Sequence, residues 1–206
     1  PSEIAIVADD SANPAYVAAD LLSQAEHDVL ASSILVTTCE KLAGEVIKEI
    51  DRQCEYLSRK DIIRSSLDNY GAIIIAESVK EAVEVVNNIA PEHLELCVRE
   101  PFNLIGEIKN AGAIFLGSYS SEPLGDYFAG PNHVLPTGGT ARFFSPLNTG
   151  DFLKKSSVIS YSREALEKVK DDIIRFAEAE GLTAHANAIR VRWSDGSCKC
   201  NSGEVG

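Results

Sequence analysis

In the stretch NNIAPEHLELCV an acid, Glu92, and an imidazole, His93, stand side by side directly after Ala90-Pro91. These are the materials of proton transfer: imidazole titrates near neutral pH, and a carboxylate can activate water. Pro91 fixes its own φ and biases Ala90 towards an extended conformation, so the pair enters the next element by a restricted path. Behind it, Leu94, Leu96 and Val98 alternate like a strand, with a helical turn over PEHLEL as the alternative. A strand would place the pair at its start, whereas ligands of open α/β sheets gather at the carboxyl ends.

Other polar residues interrupt apolar stripes. In a helix opening at Asn13-Pro14, Val17 and Leu21 are followed on the same face by Gln24, with His27 one turn on, so the two can address one target. The stripe Leu166, Val169, Ile173, Phe176 continues at Glu180, and His185 follows in EGLTAHANA. Asp126 and His133 lie in LGDYFAGPNHVLPT. The first two pairs have an ordinary reading, a helix end where the face becomes solvated. Yet all four histidines, His27, His93, His133 and His185, stand at element ends or in a loop. With Asp126, Glu92, Glu180 and Gln24 they make an N/O donor set suited to zinc or a similar divalent ion. No spacing matches H-E-x-x-H, and neither G-x-G-x-x-G nor a P-loop is present.

The elements around these residues read as α/β. EIAIVA (3–8), SILVTT (33–38), GAIIIA (71–76) and AGAIFLG (111–117) are short apolar runs of the kind covered on both faces. Helical stretches alternate with them, among them one opened by the capping-box spacing Ser78-Val-Lys-Glu81. The expected fold is an open, mostly parallel sheet with helices on both faces, an incomplete Rossmann-like domain over 1–142. An extension over 143–193 should contain a helix from Ser162 and a strand at AIRVRW (188–193), and a polar tail should occupy 194–206. The region after residue 117 is rich in Gly, Pro, Ser and Asn, and its embedded aromatics favour an ordered, functional loop.

Composition narrows the function. At 206 residues with a net charge of -12, the chain lacks the basic excess that nucleic acid requires, and it has no apolar run of membrane-spanning length. Its five scattered cysteines fit a reducing cytoplasm; Cys97 in the strand-like run reads as structural rather than nucleophilic. The chain contains no methionine, so part of a longer or processed polypeptide is expected.

At these residues the sequence resembles histidinol dehydrogenase. PSEIAIVADDSANPAYVAADLLSQAEHD, APEHLEL, AGPNHVLPTGGTARFFSPL, DFLKKSSVI and EGLTAHANAIRVR are similar to that family's blocks in the family's order, over residues 1 to about 193. The resemblance implies the C-terminal portion of an enzyme that oxidises L-histidinol through the aldehyde to L-histidine, using NAD and zinc, in a homodimer. It implies zinc ligands Gln24, His27 and Asp126, with His185 donated from the second subunit, and the catalytic pair Glu92 and His93. Ser2, His133 and Glu180 resemble substrate-pocket positions, which the ligands and His93 share. NAD contacts are expected mostly upstream of this chain. Where the family commonly has Gly-Pro-Asp after the second ligand, this chain continues DVLASS, with the length retained. Two other readings stay open: a catalytically silent α/β fragment that binds zinc or dimerises, and a zinc hydrolase using Glu92 to activate water.

Overall fold

The apolar runs at the centre of the sheet are continuous because both of their faces are covered, whereas those at its two edges stay partly exposed. In the computed structural model, which describes residues 2–194, they form β1 (Glu3–Ala8), β2 (Ser32–Thr37), β3 (Gly71–Ile75), β4 (His93–Cys97) and β5 (Ala113–Leu116). All neighbours pair in parallel, in the order β3-β2-β1-β4-β5. The helices are α1 (Pro14–Ala25), α2 (Glu40–Cys54), α3 (Lys60–Tyr70), α4 (Val79–Ile89) and α5 (Glu122–Tyr127). Ile4, Ile6 and Ala8 face Leu21 of α1 and Leu42 and Val46 of α2. Ala5 and Val7 point the other way, into a core with Ala82 and Val86 of α4 and Leu94 and Leu96 of β4. Burying a side chain such as Ile6 or Leu96 stabilises the fold by about 1.5–3 kcal/mol each. α3 docks beside α1 through Ile63, Leu22, Ala25 and Cys54.

Local signals agree with these elements. The Asn13 side chain accepts from the Ala15 N–H ahead of Pro14, and Ser78 accepts from the Glu81 N–H, so both helices start where capping residues stand. PEHLEL does not open as a helical turn; His93 is the first residue of β4. Ala90 departs from expectation. It adopts a left-handed conformation, φ 56, rather than an extended one, and is the one non-glycine residue with positive φ among those described. Its N–H donates to the Val86 carbonyl, so a single residue ends α4 and turns the chain into the Pro91-Glu92-His93 approach. Such strain persists only where the surroundings over-determine it.

The chain divides into two units, one ending at Leu153 and the other starting at Lys154. The expected boundary lay at 142/143; the Leu147 N–H donates to the Val134 carbonyl at 3.0 Å, which ties the intervening segment to the first unit. The second unit holds α6 (Arg163–Glu167), α7 (Lys170–Ala179) and α8 (Thr183–Arg190). The helix expected from Ser162 is broken at Val169, with φ -120 and ψ -2. AIRVRW is not a strand: its first residues close α8 and the rest form a turn. The alternation of Ile189, Val191 and Trp193 is too short to outweigh the helix-favouring alanines of TAHANA, and Arg190 of α8 pairs with Glu178 of α7. Of the expected tail only Ser194 is described; the rest, with Cys198 and Cys200, lies outside the described residues. No helix among the described residues is long and apolar enough to cross a membrane.

Candidate active site

His93 opens β4 opposite Ile4 of β1, so the acid–imidazole pair lies at the amino ends of the parallel strands, not the carboxyl ends. Gly112 and Ala113 at the start of β5 approach from the other side: their N–H groups donate to the Pro91 and Glu92 carbonyls at 3.0 and 2.9 Å. A Cβ on Gly112 would stand 2.5 Å from the Glu92 carbonyl oxygen, which is why only glycine fits there.

One backbone residue holds both candidate catalytic groups. The Glu3 N–H donates to Glu92 Oε2 at 3.0 Å, and the Glu3 carbonyl lies 3.0 Å from His93 Nδ1. A carbonyl only accepts, so Nδ1 carries the hydrogen and the neutral ring's lone pair is on Nε2. That Nε2 is buried and has no hydrogen-bond partner. Burial holds the His93 pKa below its usual value, which keeps the ring neutral and able to accept a proton. Burial likewise pushes Glu92 up to about 7, with the Glu3 and Asp126 charges adding to the rise. Ser2 precedes Glu3, and its carbonyl accepts from the Ser32 N–H at 3.0 Å.

The other candidates divide into those the first unit gathers and those it does not contain. Asp126, on α5, lies with Glu122 and His93 in a group whose ligand atoms are all within 4.8 Å of one another. His27 follows α1 and is exposed, close enough for its charge to lower the His93 pKa. Gln24, on the last turn of α1, is fully buried, and neither amide atom has a partner. His133 is exposed and, with Asp126, Phe115 and Leu124, lines a cavity of about 570 Å³ beside β5. Glu180 and His185 are exposed residues of the second unit, at the end of α7 and within α8.

The unpartnered His93 Nε2 beside the Glu122 and Asp126 carboxylates forms a donor set that fits a divalent cation, and the buried Gln24 amide is likewise without a partner. Glu122 belongs to this group and was not legible as such, although its place four residues before Asp126 on one helix face is a usable signal. Burial and the Asp126 charge raise Glu122 to about 7. Two further acids escape sequence reasoning: Glu95 in β4, 1% exposed and pushed by burial up to about 9, and Asp20 on α1, whose charge adds to that rise. Cys97 is buried, and burial with the Glu95 and Asp20 charges raises its thiol pKa, so it is no thiolate nucleophile.

A family model described as histidinol dehydrogenase matches residues 1–193. The chain belongs to the histidinol dehydrogenase family. It is 67% identical to the histidinol dehydrogenase of Caldanaerobacter subterraneus subsp. tengcongensis, over 91% of this chain and 44% of that protein. Identity to the Clostridium acetobutylicum protein of the same name is 61%, over 94% of this chain and 45% of the relative. The crystal structure of histidinol dehydrogenase from Elizabethkingia anophelis superposes with a TM-score of 0.85 at 39% identity, covering 93% of this chain and 44% of that one. The chain thus spans less than half the length of these relatives. These shares fix the length matched, and the expectation of a C-terminal piece rests on the resemblance alone.

Proposed function

We propose that this chain is the proton-transferring and zinc-holding part of an NAD-dependent L-histidinol dehydrogenase of the cytoplasm, which takes L-histidinol through the aldehyde to L-histidine. The observation that carries the reading is the shared anchor on Glu3: it aims a neutral, unpartnered His93 Nε2 into a group with Asp126 and Glu122, and holds Glu92 beside it.

In the first oxidation His93 Nε2 would accept the hydroxyl proton of the carbinol, and NAD, when bound, would supply the hydride acceptor that leaves the aldehyde. In the second, Glu92 takes a proton from water as the water adds to the aldehyde carbon. His93 would return its proton to the aldehyde oxygen as the hydrate forms, then accept a hydroxyl proton of the hydrate as the second hydride leaves for a second NAD. A carboxylate raised to about 7 is a stronger base than an ordinary one and is still ionised in part at neutral pH. Zinc, held by Gln24, His27, Asp126 and His185 of a second copy in a homodimer, would bind the substrate's amine and imidazole nitrogens and fix the carbinol carbon. Ser2 and His133, with Glu180 of the second copy, complete the substrate pocket in this reading. A second reading, a silent zinc-binding piece, is favoured by the chain spanning under half of its relatives.

The test is NADH formation by the full-length protein containing this chain, loaded with zinc and given L-histidinol. Two NADH per histidinol are expected. Zinc-loaded protein that forms none overturns the dehydrogenase reading, and activity in the separately produced 206-residue chain would overturn the silent one.

A further inference from the structure

Glu95 and Asp20 have no part in the chemistry proposed above, yet Glu95 is 1% exposed and lies two residues beyond His93. Its Oε1 accepts from the Glu122 N–H at 2.8 Å, the first residue of α5. The Asp20 carboxyl of α1 lies beside it, close enough for its charge to push the Glu95 pKa up. No ion pair among the described residues involves either acid.

Asp20, Glu95 and Glu122 repeat the spacing of the candidate site. Asp20 precedes Gln24 by four residues on α1, and Glu122 precedes Asp126 by four on α5. Side chains four apart share a helix face. Glu95 follows His93 by two on β4, so both project from the same side of the strand. One structural repeat therefore separates each of the three from a site residue in the same element. α5 is only six residues long, and it has no side-chain cap of its own from Ser121. The Glu95 carboxyl supplies that missing acceptor from another element.

We infer that Glu95 is a positioning residue, a hydrogen-bonded strut that sets α1 and α5 against β4 and so holds Gln24, Asp126 and His93 at their working separations. The inference rests on the function proposed for those three residues. An apolar core at this point would fill space equally well, but it would fix neither the N-terminus of α5 nor the rotation of α1.

The experiment compares Glu95→Gln and Glu95→Met in the full-length protein. Glutamine can donate to Asp20 and accept from the Glu122 N–H, whereas methionine keeps the volume and makes neither bond. Zinc affinity is measured by chelator competition, and amide exchange is followed over residues 121–127. Glu95→Gln keeps zinc affinity within about threefold, and Glu95→Met weakens it by about ten- to a hundredfold, the usual effect of losing a residue that orients ligands. Exchange at Glu122 speeds up by about tenfold or more in Glu95→Met only. Wild-type affinity and exchange in Glu95→Met overturn the inference, as does a Glu95→Gln protein as impaired as Glu95→Met. Should Glu95→Met fail to fold, Asp20→Ala removes the α1 arm alone, and unchanged zinc affinity there overturns it. A wild-type protein that binds no zinc defeats the proposed function alone; exchange over 121–127 still decides the strut.

Discussion

The His93 ring nitrogen Nδ1 lies 3.0 Å from the carbonyl oxygen of Glu3, a residue 90 positions earlier in the chain. β1 therefore decides which imidazole nitrogen on β4 is free to react. Asparagine places an amide N–H near the position of Nδ1 but has nothing at Nε2. His93→Asn should keep the bond to Glu3 and the fold while lowering kcat by about 10²–10⁴. Steady-state NADH formation, set beside a thermal melt, checks this; unchanged kcat would remove His93 as the proton acceptor.

Glu92 gives a pH signature. Its pKa is raised from 4.5 to about 7, chiefly by burial, so the folded protein holds this proton more tightly than the unfolded chain does. The associated stability is complete below the unfolded value and is lost as pH rises through the folded one. Glu92→Gln keeps an acceptor for the Glu3 N–H and cannot ionise. In zinc-free protein its melting temperature should gain on wild type between about pH 5 and about pH 8, then level off. A gap that stays constant with pH is the contrary result.

Gln24 sets stability against metal binding. Both of its amide atoms are buried without partners, a cost that binding a ligand would relieve. Gln24→Met should raise the stability of the zinc-free protein by about 1–3 kcal/mol in urea unfolding. The same change should weaken zinc binding in chelator competition. A variant less stable than wild type would show that the amide is satisfied after all.

Gly112→Ala tests the contact behind Glu92. The added Cβ meets the Glu92 carbonyl at 2.5 Å, and backbone on both sides cannot give way cheaply. Destabilisation of about 1–3 kcal/mol is expected, with a fall in kcat as the pair is displaced. Urea unfolding and NADH formation measure the two effects separately.

Ligand sharing between subunits predicts complementation. His27→Ala and His185→Ala proteins, each inactive alone, should regain part of the wild-type activity when mixed into heterodimers, because one site per dimer recovers both histidines. Verified heterodimers without activity would place His185 outside the shared site.

The sheet was legible because its strands are short and apolar on both faces: EIAIVA coincides with β1 residue for residue. Glu92 and His93 were legible because a proline and two reactive side chains interrupt the pattern. Glu95 was not, since within HLELC a lone acid between two leucines looks like the wet side of an alternating strand. Only the non-local contacts of β4 with α1 and α5 bury it. AIRVRW failed for the converse reason: six residues fit either period, and packing against α7 decided for helix. The shape of Ala90 was hidden as well, because the rule for residues before proline describes a chain free of a preceding helix that must end there.

Placing the pair at the amino ends of the strands also sets the background potential. In a parallel sheet crossed by helices, that edge is where the helices finish; α1 ends just after Gln24, and α4 ends two residues before Pro91. The aligned peptide dipoles of those helices present their negative poles there. A metal cation and a protonated amine would be drawn to such a rim before any side chain made contact. The backbone itself thus favours a cationic substrate, and the acidic residues around His93 reinforce that preference.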